Sequence, residues 1–125
     1  MPINLGFLNQ ILKTVRNLAT GTPQSVDVSD AIGALATTTV LNLSGSGYFY
    51  SLFFSAVHNE ARFGLVVDDV TLFDKNKPAT RMSGEGVSTV SGIIRFNTSL
   101  VITVYNVGDT TRVYLLKALY STDPA

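Results

Sequence analysis

Three residues near the middle of the sequence are of types that could do chemistry together. Ser55, His58 and Glu60 could serve as nucleophile, general base and orienting carboxylate. Neighbouring residues of a strand point to opposite faces of a sheet, however, and no glycine-flanked turn presents Ser55 as a nucleophile. We therefore predict no catalytic residues and no enzyme, with His58 at a strand end facing solvent or a subunit boundary.

Three aspartates provide oxygen ligands of the kind that Ca²⁺ prefers. Asp68 and Asp69 are consecutive, and Asp74 follows in the next polar stretch. Their spacing lacks the alternate-residue pattern of an EF-hand loop. Aspartate is also common in turns, where its carboxylate accepts backbone hydrogen bonds. We predict turn formation and no cofactor, with calcium binding as the alternative.

A polar segment and the tyrosines favour a second class of function, ligand binding. Residues 74–86 form the longest polar stretch and are predicted to be an exposed loop that presents Lys75, Lys77 and Arg81 to a ligand. Tyrosine rings on a sandwich can stack against sugar rings. Most of the tyrosines lie within predicted strands, where packing in a core or interface is the common fate. A host surface glycan is therefore the alternative partner.

Composition favours a protein that assembles. Hydrophobic residues make up 46% of the chain and charged residues 14%, against about 25% charged residues in an ordinary soluble domain. Such a surface has few solubilising charges, which favours its burial against other subunits. The nine basic residues balance the nine acidic ones, so no net field attracts nucleic acid or an anionic membrane. Neither is expected as a partner.

The N-terminal residues have the spacing of an amphipathic helix. Apolar residues recur at intervals of three and four, while polar residues interrupt the run too often for a signal peptide or a transmembrane span. We predict a helix within residues 1–21 that ends at Gly21, before Pro23. It either covers one end of its own domain or anchors the protein to sister subunits or a larger shell. The predicted contact residues are Leu5, Leu8, Leu12 and Val15.

The rest of the sequence predicts one β domain. Residues 22–36 are predicted to be a connector with at most one short strand, at residues 25–28, because proline and serine interrupt the alternation. Over residues 37–122, apolar and β-branched runs alternate with turn residues about every ten positions, which predicts an antiparallel, jelly-roll-like β-sandwich. A hairpin turn is expected at Asp68-Asp69 and a bulge or bend at Gly92.

One predicted strand, residues 48–57, is apolar on both faces. A strand of this kind belongs in the middle of a sheet that is covered on both sides, and a neighbouring subunit could provide one of the covers. Simple alternation places three large aromatic residues on the same face. These predicted interface residues are Tyr48, Tyr50 and Phe54.

Three segments together carry a resemblance to a known class of protein. They are GYFYSLFFSA at residues 47–56, GLVVDDVTLF at 64–73 and RFNTSLVITVYN at 95–106. Within residues 37–120 the pattern resembles the small β-sandwich modules of tailed-phage virion proteins, which occur in head decoration, head-fibre and tail or baseplate subunits and are often trimeric. Those modules often have Asp-Gly in the hairpin turn where this chain has Asp68-Asp69, and no functional residue is transferred from them.

The resemblance implies a structural role in a phage particle. The expected protein is a homotrimer, made in the host cytoplasm and attached in the virion to the major capsid or tail proteins. Composition and periodicity independently predict a sparsely charged β-sandwich that follows a helix. The function predicted first is therefore non-enzymatic virion assembly, and the alternative is a carbohydrate- or receptor-binding β-sandwich module.

Overall fold

A computed structural model describes residues 5–76, 80–82 and 85–124, with side chains described for those residues outside 13–20 and 80–86. One helix precedes nine strands in this part of the chain. The elements are α1 (Leu5–Thr20), β1 (Thr22–Ile32), β2 (Thr37–Ser44), β3 (Gly47–Ala56), β4 (Ala61–Val67), β5 (Val70–Phe73), β6 (Thr80–Met82), β7 (Glu85–Phe96), β8 (Ser99–Asn106) and β9 (Arg112–Thr122).

The strands form two antiparallel sheets that enclose one core. The five-stranded sheet has the order β1-β9-β3-β7-β6 and the four-stranded sheet has the order β2-β8-β4-β5. Side chains from both sheets meet in a single cluster, in which the ring centroids of Phe54 on β3 and Phe63 on β4 lie 5.3 Å apart. The predicted antiparallel β-sandwich is therefore confirmed, as is the central position of β3.

Alternation along single strands determines which side chains enter this core. On β8, the side chains of Leu100, Ile102 and Val104 are fully buried, and those of Val101 and Thr103 are half-buried on the other face. The period of two places every second side chain on the same side of the sheet. Because burial of apolar area stabilises a fold by about 25 cal/mol per Å², this alternation sets the orientation of the strand.

The segment predicted to be a connector is a full strand, so that prediction is wrong. β1 pairs with β9 along its whole length, from Thr22 opposite Thr122 to Ile32 opposite Arg112. Ile32 is buried in the core, where Val26 and Val28 also pack. The proline at position 23 is compatible with this strand because β1 lies at the edge of the sheet, where one row of N–H groups needs no partner strand.

Two irregularities were located correctly from the sequence. Asp68 and Asp69 join β4 to β5, and their φ angles of 51° and 64° are those of a tight hairpin turn. Gly92 has a φ of 141°, a conformation that favours glycine, and together with Ile93 it lies opposite the single residue Tyr50 of β3. Both the hairpin and the bulge are confirmed.

A further irregularity, at Tyr50, changes the phase of β3, which simple alternation did not anticipate. Relative to β9, Tyr50 is an extra residue, since Phe49 lies opposite Tyr120 and Ser51 opposite Leu119. Phe49 therefore enters the core instead of Tyr48. The predicted common face of Tyr48, Tyr50 and Phe54 does not exist.

The helix and the long polar segment differ in how well they were predicted. α1 ends at Thr20, immediately before Gly21, as expected from the glycine and the following proline.

The polar segment 74–86 is not one loop, because β6 pairs with the beginning of β7, with Thr80 opposite Val87 and Met82 opposite Glu85. Asp74, Lys75 and Asn76 are exposed, whereas Lys77 lies outside the described residues.

Candidate functional site

The described apolar side chains of α1 are exposed to a large extent. Leu5 is 68% exposed, Leu8 40% and Leu12 57%. Phe7 and Ile11 are also exposed, and at 3.6 residues per turn the five positions cover an arc of about 160°. We call these residues the helix stripe: Leu5, Phe7, Leu8, Ile11 and Leu12. The side chain of Val15 is outside the described part.

The exposed stripe favours one of the two predicted roles of the helix. A stripe that covered its own domain would be buried by it, whereas these side chains are 40% to 68% exposed. The described polar residues Asn9 and Gln10 lie on the opposite arc. No helix among the described residues is long and apolar enough to cross a membrane.

A second apolar surface lies on the outer side of the five-stranded sheet. Cross-strand pairing places Ser55, Leu115 and Val87 in one row that faces away from the core. Five apolar residues on or beside this face, which we call the outer apolar face, are 42% to 65% exposed. They are Val57, Val87, Ile93, Val113 and Leu119. Val57 and Val113 also line a shallow depression of about 190 Å³ between β1, β9 and β3.

Phe54 cannot contact a second subunit in this fold. Its side chain is 0% exposed, and its ring stacks on that of Tyr114 at 6.1 Å besides contacting Phe63. The prediction of Phe54 as an interface residue is therefore wrong. Phe53, the next residue along β3, is half-buried on the outer side and pairs with Lys117 of β9.

The two predicted interface tyrosines belong to a polar cluster at one end of the five-stranded sheet. The guanidinium carbon of Arg95 lies 4.9 Å from the ring centroid of Tyr48, which is buried. The hydroxyl of Tyr50 and that of Ser121 are 2.9 Å apart and share a hydrogen bond. Tyr48 and Tyr50 therefore make contacts within the chain, and their part in a subunit contact remains a prediction.

An ion pair in the same cluster ties the end of β9 to β7. Arg95 donates two hydrogen bonds to the carboxylate of Asp123, at 2.7 and 2.6 Å, and this contact raises the pKa of Arg95. Ser46 donates to Asp123 from its hydroxyl and accepts from the Asp123 N–H, at 2.8 and 3.0 Å. The cluster was not predicted, because no local pattern relates residues this far apart in sequence.

Of the residues considered for acid and base chemistry, His58 and Glu60 lie close together, and the Glu60 carboxylate is bound by an arginine. Arg112 donates to Glu60 Oε1 from Nε at 3.0 Å and from Nη2 at 2.6 Å. His58 Nδ1 is 3.9 Å from the same oxygen. Ser55 lines the depression on the outer side of β3. The Glu60 carboxylate thus holds Arg112, the first residue of β9, beside the turn that follows β3.

Asp68 fastens the turn between β7 and β8. Its carboxylate accepts hydrogen bonds from the N–H groups of Asn97, Thr98 and Ser99, at 2.7 to 3.1 Å. These donors lower the pKa of Asp68 to about 2, against an ordinary value of 3.8. Asp74 accepts similarly from the N–H of Asn76 at 2.8 Å. The described residues contain no group of three or more His, Cys, Asp or Glu side chains that could hold a metal ion.

A pocket of about 310 Å³ lies at one end of the four-stranded sheet. It forms where the turn between β1 and β2, the segment after β5 and the end of β8 meet. Of the three predicted ligand residues, Lys75 lines it, Lys77 is outside the described residues, and Arg81 lies on β6 of the other sheet with its side chain not described. The remaining lining residues are Leu35, Ala36, Thr37, Tyr105, Asn106 and Val107.

The floor of this pocket is held by a buried asparagine. Asn106 donates from its side-chain amide to the carbonyl oxygens of Ile32 and Thr110, at 3.1 and 2.7 Å. Its side-chain oxygen accepts from the N–H of Gly108 at 2.9 Å. These bonds join the end of β1, the end of β8 and the turn that follows β8, so the amide fixes the relative positions of these segments. Comparison of the sequence with protein-family models and with curated proteins finds no match to this chain.

Proposed function

We propose that this protein is a non-enzymatic structural subunit of a phage particle that acts by assembling with copies of itself and attaching to the virion. The observation that carries the proposal is the exposed helix stripe, an apolar surface on a helix outside the core of its own domain. Exposed apolar surfaces of this kind mark sites of association in soluble proteins.

The length of α1 supports a role in which another molecule covers it. α1 has 16 residues, and isolated helices shorter than about 12 to 15 residues are marginal in water even with favourable sequences. A helix only slightly longer than that limit gains most of its stability from packing of its apolar side. Burial of the stripe between copies, or against a larger shell, provides this packing.

The outer apolar face supplies a second surface for the same purpose. β3 is the strand for which burial in an assembly was predicted, and Val113 and Leu119 of its neighbour β9 are exposed on the same side. The five-stranded sheet then gains a cover on the side opposite the core. Apolar burial of this kind contributes about 25 cal/mol per Å² before the cost of association is subtracted.

The place of the protein in a virion is supported by the sequence pattern alone. The likeness of residues 37–120 to small phage β-sandwich modules supports a decoration, fibre or tail component. It also supports a trimer, with the major capsid or tail proteins as further partners. A chain of zero net charge has no field that would favour nucleic acid over protein as that partner.

Light scattering on the full chain tests the assembly proposal. We expect the parent protein to have an oligomeric mass, with three times 13.4 kDa for a trimer. Leu8→Asp places a charge within the helix stripe and is expected to weaken assembly at least tenfold, because burying an unpaired carboxylate costs well over 1.4 kcal/mol. Asn9→Asp adds the same charge on the polar arc of α1 and is expected to leave the mass unchanged.

The outcome that contradicts assembly is a parent protein that is monomeric at every concentration tested. If both variants lose mass equally, added charge and not the stripe is responsible, which also contradicts the mechanism. Attachment to a particle is tested separately, by adding the parent and the Leu8→Asp variant to virions that lack the protein and measuring what sediments with them.

A further inference from the structure

We propose that the pocket at the end of the four-stranded sheet binds an acidic sugar, a ring that carries a carboxylate. The pocket lies in the sheet that does not carry the outer apolar face. The inference is therefore independent of the assembly proposed above. It rests on the shape of the pocket, on an aromatic wall and on a lysine in its lining.

The size of the pocket suits one sugar ring. Its volume of about 310 Å³ is at the lower end of the range of about 300 to 1,000 Å³ that is typical of ligand pockets. Asn106 has its donors and acceptor already engaged with the surrounding segments. The part of the wall that Asn106 forms at the end of β8 is therefore held in place before a ligand enters, which reduces the entropy lost on binding.

Tyr105 provides the aromatic wall. Its position opposite Arg62 and Thr37 in the register places it on the outer side of the four-stranded sheet. A Cβ atom on Gly64, on the neighbouring strand β4, would lie only 3.0 Å from Tyr105 Cε2. The glycine thus allows the ring to lie against the backbone of β4. An aromatic ring fixed in this way can pack against the C–H face of a sugar.

Lys75 gives the pocket its charge preference. Lys75 lines it, and Arg62 donates from Nη1 to the Lys75 carbonyl oxygen at 3.0 Å. Arg62 Nε donates to another carbonyl oxygen, that of Asn59, at 3.0 Å. In the described part of the chain, neither basic residue forms a salt bridge, whereas Glu60 is paired with Arg112. A carboxylate on the ligand supplies the missing opposite charge.

Leu35 forms a strained, apolar rim at the mouth of the pocket. Its φ of 54° is unfavourable for a leucine, its side chain is 75% exposed, and its N–H donates to the Gly108 carbonyl oxygen at 3.0 Å. Strained and exposed apolar residues are characteristic of binding sites. Leu35 is placed to cover one edge of the bound ring.

Calorimetric titration with D-glucuronic acid and D-glucose tests the proposal on the full-length protein. The two sugars share the pyranose ring and differ in the carboxylate at C6. We expect glucuronic acid to bind at least tenfold more tightly than glucose, because a hydrogen bond to a charged group is worth about 1.5 to 3 kcal/mol. Equal binding of both sugars, or no binding of either, would overturn the proposal.

Substitutions of pocket residues, each compared with a control, test whether the sugar binds in this pocket. Lys75→Met keeps the aliphatic stem and removes the charge, so it is expected to abolish the preference for glucuronic acid. Lys117→Met removes an exposed lysine from the five-stranded sheet and is expected to leave the preference intact. Tyr105→Ala is expected to lose both sugars, and Tyr105→Phe, which keeps the ring, is expected to retain the preference. A Lys75→Met protein that still prefers glucuronic acid would overturn the assignment of the site.

Discussion

At the residue scale, polar side chains in this sandwich fasten turns to neighbouring strands. Asp68 holds the turn between β7 and β8, Asn106 holds the segments around the pocket, and Asp123 holds the end of β9. Each accepts or donates more than one hydrogen bond, so loss of one side chain leaves several groups without a partner. Such losses cost more than the deletion of a single isolated hydrogen bond.

Asp68 is expected to give the protein a characteristic loss of stability in acid. Its pKa of about 2 in the folded state lies below the ordinary value of 3.8. The stabilisation is therefore complete above about pH 4 and is lost as the pH falls through 2. In Asp68→Asn we expect a lower melting temperature at pH 7 and a shallower decline between pH 4 and 2, measured by circular dichroism.

The neighbouring Asp69→Asn variant is the control for that measurement. Asp69 is exposed and has a similar positive φ, which asparagine also tolerates. Its acid profile is expected to match that of the parent. Parallel profiles for the parent and Asp68→Asn would show that the Asp68 carboxylate does not contribute to stability.

Alanine substitutions of Phe54 and Phe53 compare the stability contributed by a core side chain with that contributed by a side chain on the outer side of β3. We expect Phe54→Ala to lower the free energy of unfolding by about 3 to 5 kcal/mol, because it leaves a cavity among fully buried rings. Phe53→Ala, on the half-buried outer side, is expected to cost less than half as much. Urea denaturation measures both, and equal losses would contradict the assignment of Phe54 to the core.

At the element scale, β1 is part of the sandwich although its sequence is typical of a connector. It covers one edge of β9 and contributes Ile32 to the core. Its own pattern is weak because residues that face solvent on an edge strand need not be apolar. The identity of this segment depends on β9, which lies at the other end of the chain.

Two truncations test the role of β1. A chain that begins at Thr22 retains every strand that the structure describes, and we expect it to unfold cooperatively in a thermal scan. A chain that begins at Thr37 lacks β1, which leaves the edge of β9 and the core around Ile32 uncovered. We expect this shorter chain to show no cooperative transition. Equal melting temperatures for the two chains would mean that β1 is dispensable.

At the scale of the whole molecule, the assembly we propose depends on apolar contacts and not on long-range charge. The helix stripe and the outer apolar face are both aliphatic or aromatic, and the net charge of the chain is zero. Apolar association is only weakly screened by sodium chloride, and salts such as sulfate strengthen it.

Sedimentation at different salt concentrations tests this dependence. Raising sodium chloride from about 0.05 to about 0.5 M shortens the Debye length, which is about 10 Å at 0.1 M, and so screens ion pairs. Over this range we expect the association constant to change by less than threefold. Sodium sulfate at equal ionic strength is expected to raise it. A loss of tenfold or more in sodium chloride would indicate that ion pairs and not the apolar surfaces hold the subunits together.

The sequence alone determined the features that depend on neighbouring residues. The end of α1 just before Gly21, the hairpin at Asp68-Asp69 and the alternation of β8 all follow from local periodicity and backbone preferences. Only the tertiary structure decided the partner of β1, the phase of β3 around Tyr50 and the clamp between Arg95 and Asp123. These features depend on pairing between distant strands, where the gain in hydrogen bonds and buried area outweighs local propensity.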